Sequence, residues 1–287
     1  MGTLRGLPVG LAVAIVAWAC PAKAATQQRI VSIVPAVTEM IFAMGEGARV
    51  VGVSSFDRVP PEVLTLPKVG ALIDPNVERI LSLRPDLVVL YNSQPELKQA
   101  LDRARVPYYT YVHKTLADIM VTARAIGARI GATSKGDALA TGMEREIATI
   151  RASVARLPRP RTMIVFERET GSLRSIFASG GYGFLHDMLE TAGGRDVFAD
   201  IKAENIQASS ELILARQPDV IVELKYGDEF KPADLDRDMR AWNALASLPA
   251  VRNKRVLALL GDEFVTPGPR VVGAIRKLAR TLHPESK

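Results

Sequence analysis

Cysteine is almost absent from this sequence, and histidine is scarce. Cys20 is the only cysteine among 287 residues, so the chain cannot form an internal disulfide or a metal centre built from several thiolates. His113, His186 and His283 are the only histidines, and no two of them stand at a spacing typical of metal ligands. We therefore expect no metal site and no resident cofactor in the folded protein.

The sequence also lacks the short motifs that mark common catalytic sites. It contains no Gly-x-Ser-x-Gly elbow, no phosphate-binding loop and no dinucleotide fingerprint. The glycine-rich residues 179–183 precede a predicted helix, an arrangement that can cradle a phosphate but is more commonly a simple turn. Glu167 and Glu169, two positions apart, could form an acid–base pair in a cleft. We expect no enzymatic activity, and a secreted hydrolase acting on a small substrate is the alternative.

Charge of one sign is not in large excess. The chain has 37 Lys and Arg against 31 Asp and Glu, a formal net charge of +6. The basic residues are scattered, whereas nucleic-acid-binding proteins concentrate them on one surface. A nucleic-acid partner is therefore not expected.

An apolar segment at the N-terminus is too short to span a membrane. Arg5 precedes the apolar residues 7–19, about 13 in number, whereas a membrane-spanning helix needs roughly 20. Residues 22–24, Ala-Lys-Ala, then supply the small-x-small pattern of a cleavage site. The sequence therefore predicts a signal peptide over residues 1–24 and a periplasmic location. Lipidation at Cys20 is the less favoured alternative, because Trp18 fits such a site poorly.

One segment occurs twice in the chain. Residues 76–90 align without a gap on residues 209–223. Each copy reads as a polar cap, a short amphipathic helix with a glutamate in its first turn, a Pro-Asp stop and a run of aliphatic residues that suits a buried parallel strand. A unit repeated at half the chain length indicates two similar lobes, and two facing lobes enclose a cleft.

Strand and helix patterns alternate on both sides of one long helical segment. Residues 134–157 contain no proline and carry apolar side chains three or four positions apart. The predicted fold is α/β, with two Rossmann-like lobes of parallel sheet over residues 25–132 and 158–287, joined by a single long helix over residues 133–157. The ligand cleft lies between the lobes. A continuous helix packed on both lobes should resist large hinge motion.

The order and spacing of several segments resemble a known family, the periplasmic substrate-binding proteins of ABC importers for iron-siderophores, haem and cobalamin. The segments are residues 29–39, 51–56, 60–61, 66–70, both repeat units, 192–194 and 267–270. Lobes bridged by one long helix characterise that family. The resemblance implies a monomer that delivers an iron chelate or a corrinoid such as cobalamin to an ABC permease in the inner membrane. The small-molecule partner is then a metal chelate.

The resemblance also implies a role for the glutamate of each repeat unit. In that family the matching glutamates, one per lobe, lie on the surface that meets the permease and pair with arginines there, which assigns permease docking to Glu78 and Glu211. A second interpretation needs no partner. A glutamate in the first turn of a helix is stabilised by about 0.3–1 kcal/mol through the helix dipole.

Ligands of doubly wound lobes meet the loops that follow the C-terminal ends of the parallel strands. Aromatic faces on such loops hold flat chelates, and guanidinium groups hold carboxylates. The candidate ligand-binding residues on these loops are Phe56, Arg58, Tyr91, Arg168, Lys225, Tyr226 and Phe264.

The cleft departs from the cobalamin-binding pattern of the family. Leu72 and Asn205 stand where the resemblance leads us to expect tryptophan, and Trp242 is expected in the core. A less aromatic and more cationic cleft favours an anionic iron chelate over a corrinoid, with haem as a further candidate. Tyr91 or Tyr226 would be the residue to touch iron.

Overall fold

The structure, a computed structural model, describes Gly2, residues 28–227 and residues 232–284. The predicted signal peptide, with Cys20, lies outside the described residues apart from Gly2. None of the helices in the described part of the chain is long and apolar enough to cross a bilayer.

The N-terminal lobe is a four-stranded parallel sheet in the order β2-β1-β3-β4. In register, Ile30 pairs with Val50 on one side and Leu87 on the other, and Val88 pairs with Tyr108. The central strands are buried on both faces, as parallel strands covered by helices are. Its elements are β1 Ile30–Ser32, α1 Pro35–Ala43, β2 Val50–Val53, α2 Val77–Ser82, β3 Leu87–Tyr91, α3 Pro95–Ala104, β4 Tyr108–Tyr111 and α4 Leu116–Arg129. Short 3-10 turns lie at Gly47–Arg49 and Pro61–Thr65.

A single helix, α5 Thr133–Val154, follows the first lobe. The apolar positions of its sequence pattern form its buried face, which includes Met143, Ile147, Ile150 and Val154. The helix ends three residues before the predicted limit, and its last turn precedes the Pro-Arg-Pro of residues 158–160.

The C-terminal lobe is a mixed sheet in the order β10-β9-β5-β6-β8, with β7 paired to β5. Strands β5, β9 and β10 are parallel, as predicted, but β6 runs antiparallel to both β5 and β8. Helix α8 is followed by a 3-10 segment Arg240–Leu245 and by a turn of helix before β10. The elements are β5 Arg161–Glu167, β6 Phe177–Ser179, α6 Phe184–Thr191, β7 Arg195–Asp196, β8 Asn205–Gln207, α7 Ser210–Arg216, β9 Val220–Lys225, α8 Pro232–Met239, α9 Pro249–Arg252, β10 Val256–Leu260 and α10 Val271–Leu282, with a 3-10 turn at Asp262–Phe264.

The two copies of the repeat begin with the same cap. Asn76 Oδ1 accepts a hydrogen bond from the Arg79 backbone N–H at 2.8 Å, and Ser209 Oγ accepts one from the Leu212 N–H at 3.2 Å. Each bond satisfies an amide that the first turn of a helix leaves without a partner. The polar residue at the start of each copy therefore serves as the N-cap of its helix.

The two copies also end alike, through contacts with a strand far away in sequence. Asp86 Oδ2 accepts the Arg29 N–H at 2.8 Å, and Asp219 Oδ2 accepts the Arg161 N–H at 3.0 Å. The side chains of Arg29 and Arg161 donate to the last carbonyls of α2 and α7, Leu83 O and Arg216 O. The aspartate after each proline thus fastens the repeat unit to the first strand of its own lobe.

One hydrophobic core runs through both lobes and the helix between them. It includes Val34 and Ile41 of the first lobe, Ile147 of α5, and Val222 and Ile275 of the second lobe. Two smaller clusters lie on the other sides of the two sheets. The lobes are therefore not independently packed bodies on a flexible joint.

Helices α4 and α5 approach so closely that their crossing requires glycine. A Cβ atom on Gly136 would lie 2.7 Å from the Ala123 carbonyl oxygen, and one on Gly127 would lie 2.8 Å from the Gly136 Cα. Both separations are shorter than packed atoms allow, so these two glycines set the distance between the first lobe and the long helix.

Replacing glycine by alanine should therefore have opposite effects on stability at two positions of α5. Gly136→Ala should lower the free energy of unfolding by about 1–3 kcal/mol, because the added methyl overlaps α4. Gly142→Ala, in the same helix but with open space around the added atom, should raise it by up to about 1 kcal/mol through helix propensity. Urea unfolding of both variants measures the difference, and equal effects would contradict the close crossing.

Candidate ligand-binding cleft

The cleft between the lobes has a volume of about 660 Å³, within the usual range of small-molecule sites. It lies where the strands of both sheets end, and the loops after β2, β5, β9 and β10 supply most of its walls. Its lining residues are Pro35, Glu39, Phe56, Arg58, Val59, Val165, Phe166, Glu167, Arg168, Thr170, Glu223, Leu224, Lys225, Tyr226, Gly227, Asp262, Val265, Thr266 and Arg270.

An ion pair joins the two lobes along the wall of the cleft. Arg270 of the second lobe donates from Nη2 to Glu39 Oε1 at 2.7 Å and from Nε to Oε2 at 3.0 Å. Burial raises the pKa of Glu39, and the hydrogen bond and charge of Arg270 oppose that effect. Arg270 also approaches Glu263, with Nη1 3.4 Å from Oε2. Glu39 and Arg270 both belong to segments that carry the family resemblance, but no local sequence pattern predicts their contact, because they are 231 residues apart.

Arg168 lines the cleft but is held by two carboxylates of its own lobe. Its Nε donates to Glu223 Oε1 at 2.6 Å, and its Nη1 and Nη2 donate to the two carboxylate oxygens of Asp238, each at 2.9 Å. The side chain is fully buried. Burial acts to lower the pKa of Arg168, but Glu223 and Asp238 outweigh it and hold the pKa above its usual value.

Lys225 belongs to the same cluster. Its Nζ donates to Asp238 Oδ2 at 2.8 Å and lies 2.6 Å from Glu223 Oε2. Trp242, buried as predicted, donates from Nε1 to Glu223 Oε1. The charges of two cations and two anions therefore balance in this cluster. The expectation of a strongly cationic cleft is not supported by it.

The predicted aromatic residues are divided between the cleft and the core. Phe56, 67% exposed, lines the cleft from the first lobe, and Tyr226, 40% exposed, lines it from the second. Phe264 is fully buried and packs in the core with Lys277 Nζ 5.8 Å from its ring centre, so its placement in the cleft is corrected. The 3-10 turn after β10 carries this side chain inward. Tyr91 is half-buried against Tyr111, with ring centres 6.0 Å apart, and lies outside the lining residues.

The loop that carries Phe56 and Arg58 is held by a buried acid between them. Asp57 Oδ2 accepts the Ser54 N–H at 2.7 Å, and the Asp57 carbonyl accepts a hydrogen bond from Lys68 Nζ at 3.0 Å. Burial raises the pKa of Asp57 to about 7, against the lowering effects of its hydrogen bonds and of Lys68. Its position next to an exposed aromatic gave no sequence signal of this burial. Arg58 itself is exposed and lines the cleft, as predicted.

The raised pKa of Asp57 predicts a pH-dependent stability. The folded protein holds this proton up to about pH 7, whereas an unfolded aspartate loses it near 3.8, so its contribution to the free energy of unfolding should fall as pH rises between these values. Through Asp57, the free energy of unfolding of the wild type should fall by at most about 4 kcal/mol across this pH range. Asp57→Asn should abolish that fall. Unfolding at several pH values measures it, with Asp102→Asn at an exposed site of α3 as the charge-matched control. Parallel curves for wild type and Asp57→Asn would contradict the assignment.

The glycine-rich residues 179–183 form a turn rather than an anion site. The Gly180 N–H donates to the Glu204 carbonyl at 3.1 Å, and the Gly181 N–H donates to the Ile201 carbonyl at 2.8 Å. Gly183, with a φ of 98°, begins α6. These amides already have backbone partners, so they do not cradle a phosphate.

The residues of the hydrolase alternative do not come together. Glu167 lines the cleft, whereas Glu169 is not among the lining residues. Among residues 28–227 and 232–284, no group of three His, Asp or Glu is arranged to hold a metal ion. The histidines are separate: His113 stacks on Tyr111, and His186 Nδ1 lies 3.1 Å from Asp196 Oδ2.

The two glutamates of the repeat occupy equivalent places. Glu78 lies in the first turn of α2 and Glu211 in the first turn of α7, and both are exposed. Neither lines the cleft. The pKa of Glu211 is lowered by hydrogen bonds from its own backbone N–H and from Ser209.

Two α/β lobes, a cleft at the ends of their strands and a helix bridging them define a bilobed ligand-binding protein. The family model described as periplasmic binding protein matches residues 30–262, and this chain belongs to that family. The vitamin B12-binding protein of Salmonella typhimurium is 30% identical over 258 residues, which cover 88% of this chain and 90% of that protein. These findings confirm the resemblance inferred from the sequence.

Solved structures of related proteins show the same fold. The periplasmic vitamin B12-binding protein BtuF of Vibrio cholerae matches with a TM-score of 0.75 and 27% identity, over 91% of this chain and 98% of that chain. The periplasmic haem-binding protein RhuT of Roseiflexus matches in its apo form with a TM-score of 0.74 and 28% identity, over 91% of this chain and 100% of that chain. The predicted α/β fold with a cleft between two lobes is thereby confirmed.

Proposed function

We propose that this protein is the exported substrate-binding component of an ABC importer and that it carries a large metal chelate: an iron-siderophore complex, haem or a corrinoid. The observation that carries the proposal is the 660 Å³ cleft with an exposed aromatic side chain on each lobe, Phe56 and Tyr226. Aromatic side chains on both lobes suit a broad, flat ligand. The named ligands of the relatives, vitamin B12 and haem, are of that kind.

The proposal includes export and a monomeric state. The charged start, short apolar run and small-x-small site of residues 1–24 support cleavage of a signal peptide and export to the periplasm. Lipidation at Cys20 is the alternative route to the same compartment. The hydrolase reading has less support, since Glu167 lacks its expected partner in the cleft.

The aromatic pair predicts where ligand affinity resides. Native mass spectrometry of protein purified from its own periplasm should reveal a copurified chelate by its mass. Phe56→Ala and Tyr226→Ala should each weaken binding of that chelate by about 1–3 kcal/mol, because each removes a stacking face. Tyr182→Ala changes a comparably exposed tyrosine outside the cleft and should leave affinity unchanged in titration calorimetry. Equal behaviour of the three variants would place the site elsewhere.

We further propose that Glu78 and Glu211 dock the protein on its permease. Both are exposed, one lies on each lobe, and each helix is already capped by Asn76 or Ser209, so the carboxylates remain on the surface at matched positions. Two equivalent acidic groups suit a permease that presents one arginine to each lobe.

Charge reversal separates docking from a helix-dipole role. Glu78→Lys and Glu211→Lys should leave ligand affinity intact and reduce uptake in reconstituted vesicles, with the double variant most affected, because loss of an interfacial charge pair costs about 2–5 kcal/mol. Glu96→Lys, at an exposed first-turn position of α3, reproduces the dipole change without docking. It should lower the melting temperature slightly and transport normally. Normal transport by the double variant would exclude the docking role.

A further inference from the structure

We propose that Asp238 sets the charge class of the ligand: by neutralising Arg168 and Lys225, it makes the cleft select a large chelate without net negative charge. This inference rests on the proposed function. The sequence led us to expect an anionic chelate, because Arg168 and Lys225 were taken to be available to the ligand. A chelate without net negative charge replaces that expectation.

Asp238 is not itself a lining residue of the cleft, but it contacts two lining residues, Arg168 and Lys225. It lies on α8, is 3% exposed, and receives both outer nitrogens of Arg168 at 2.9 Å and Lys225 Nζ at 2.8 Å. The Gly171 N–H donates to its Oδ1 at 2.5 Å, and its backbone carbonyl accepts a further bond from Arg168. Burial acts to raise the pKa of Asp238, but Lys225, Gly171 and Arg168 together lower it. The side chain is therefore the anion that holds the cluster together.

The cluster has no positive charge left for a ligand. Glu223 is the second anion, since its carboxylate contacts Arg168 at 2.6 Å and lies 2.6 Å from Lys225. Glu223, Arg168 and Lys225 line the cleft, and Asp238 contacts both cations, so a ligand carboxylate at this wall would be repelled by the two acids as well as attracted by the cations. In a region of low dielectric, that repulsion offsets the attraction.

A further lining cation of the second lobe is also paired. Arg270 is engaged by both oxygens of Glu39 and lies near Glu263. Acidic and basic side chains line the cleft in equal number. The aromatic pair Phe56 and Tyr226 then supplies the principal attraction, and it acts equally on neutral and charged chelates.

Asp238→Asn tests the inference because it keeps the shape of the side chain and removes its charge. The probes are cyanocobalamin, a neutral corrinoid, and haemin, a flat chelate with two carboxylates. We expect wild type to bind cyanocobalamin more tightly than haemin, and the variant to shift the ratio of dissociation constants toward haemin by about tenfold. Fluorescence titration at low salt measures both affinities, and melting curves verify folding.

Two further variants isolate the cause. Asp200→Asn removes the same charge from an exposed pair with Arg216 outside the cleft and should leave the ratio unchanged. Asp238→Asn combined with Lys225→Met restores a balance of one cation and one anion and should restore the wild-type ratio. If Asp238→Asn does not fold, Glu223→Gln leaves the same excess of positive charge and takes its place.

The outcomes separate this inference from the proposed function. Wild type that binds haemin more tightly than cyanocobalamin, or an unchanged ratio in a folded variant, overturns the role of Asp238 and leaves a chelate-binding protein. Wild type that binds neither probe, together with no chelate in native mass spectrometry, overturns the proposed function and this inference with it. A shifted ratio that the double variant reverses supports both.

Discussion

The structure depends on the packing of one helix, α5, against both lobes. Its buried stripe belongs to a core that continues from the first sheet to the second, and the contact of Gly127 with Gly136 brings α4 and α5 together at the closest separation that a backbone permits. A cleft set by such an element has a width fixed by packing. Opening it widely would expose core residues on both sides, which costs far more than rotating a flexible loop.

The pairing of charges in the cleft also follows from burial. Arg168, Lys225 and Arg270 lie at walls where a cation without a partner would be strongly destabilising, and carboxylates of the protein itself supply the partners. Under the proposed function, recognition would depend on shape and aromatic contact rather than on ion pairing. Phe56 and Tyr226 are exposed aromatic side chains of the cleft lining.

The parts of the fold that depend on local sequence patterns could be predicted from the sequence. The repeat located the parallel strands β3 and β9, and α5 lies within the long helix predicted over residues 133–157. The antiparallel strands β6 and β8 were missed, because three-residue strands carry no periodicity. In the site, loop position identified Phe56 and Tyr226 but could not show that Phe264 turns inward. The contacts of Asp238 and the Glu39–Arg270 pair could not be predicted from the sequence, since only tertiary packing brings these residues to their partners.

The fastening of each repeat unit has a mechanical consequence. The C-terminal ends of helices α2 and α7 accept hydrogen bonds from Arg29, which directly precedes β1, and from Arg161, the first residue of β5. A pull or push on the exposed start of either helix is therefore passed to the whole lobe as a rigid lever. Under the proposed docking at these helix starts, a partner would hold two stiff bodies whose separation is set by the packing around α5.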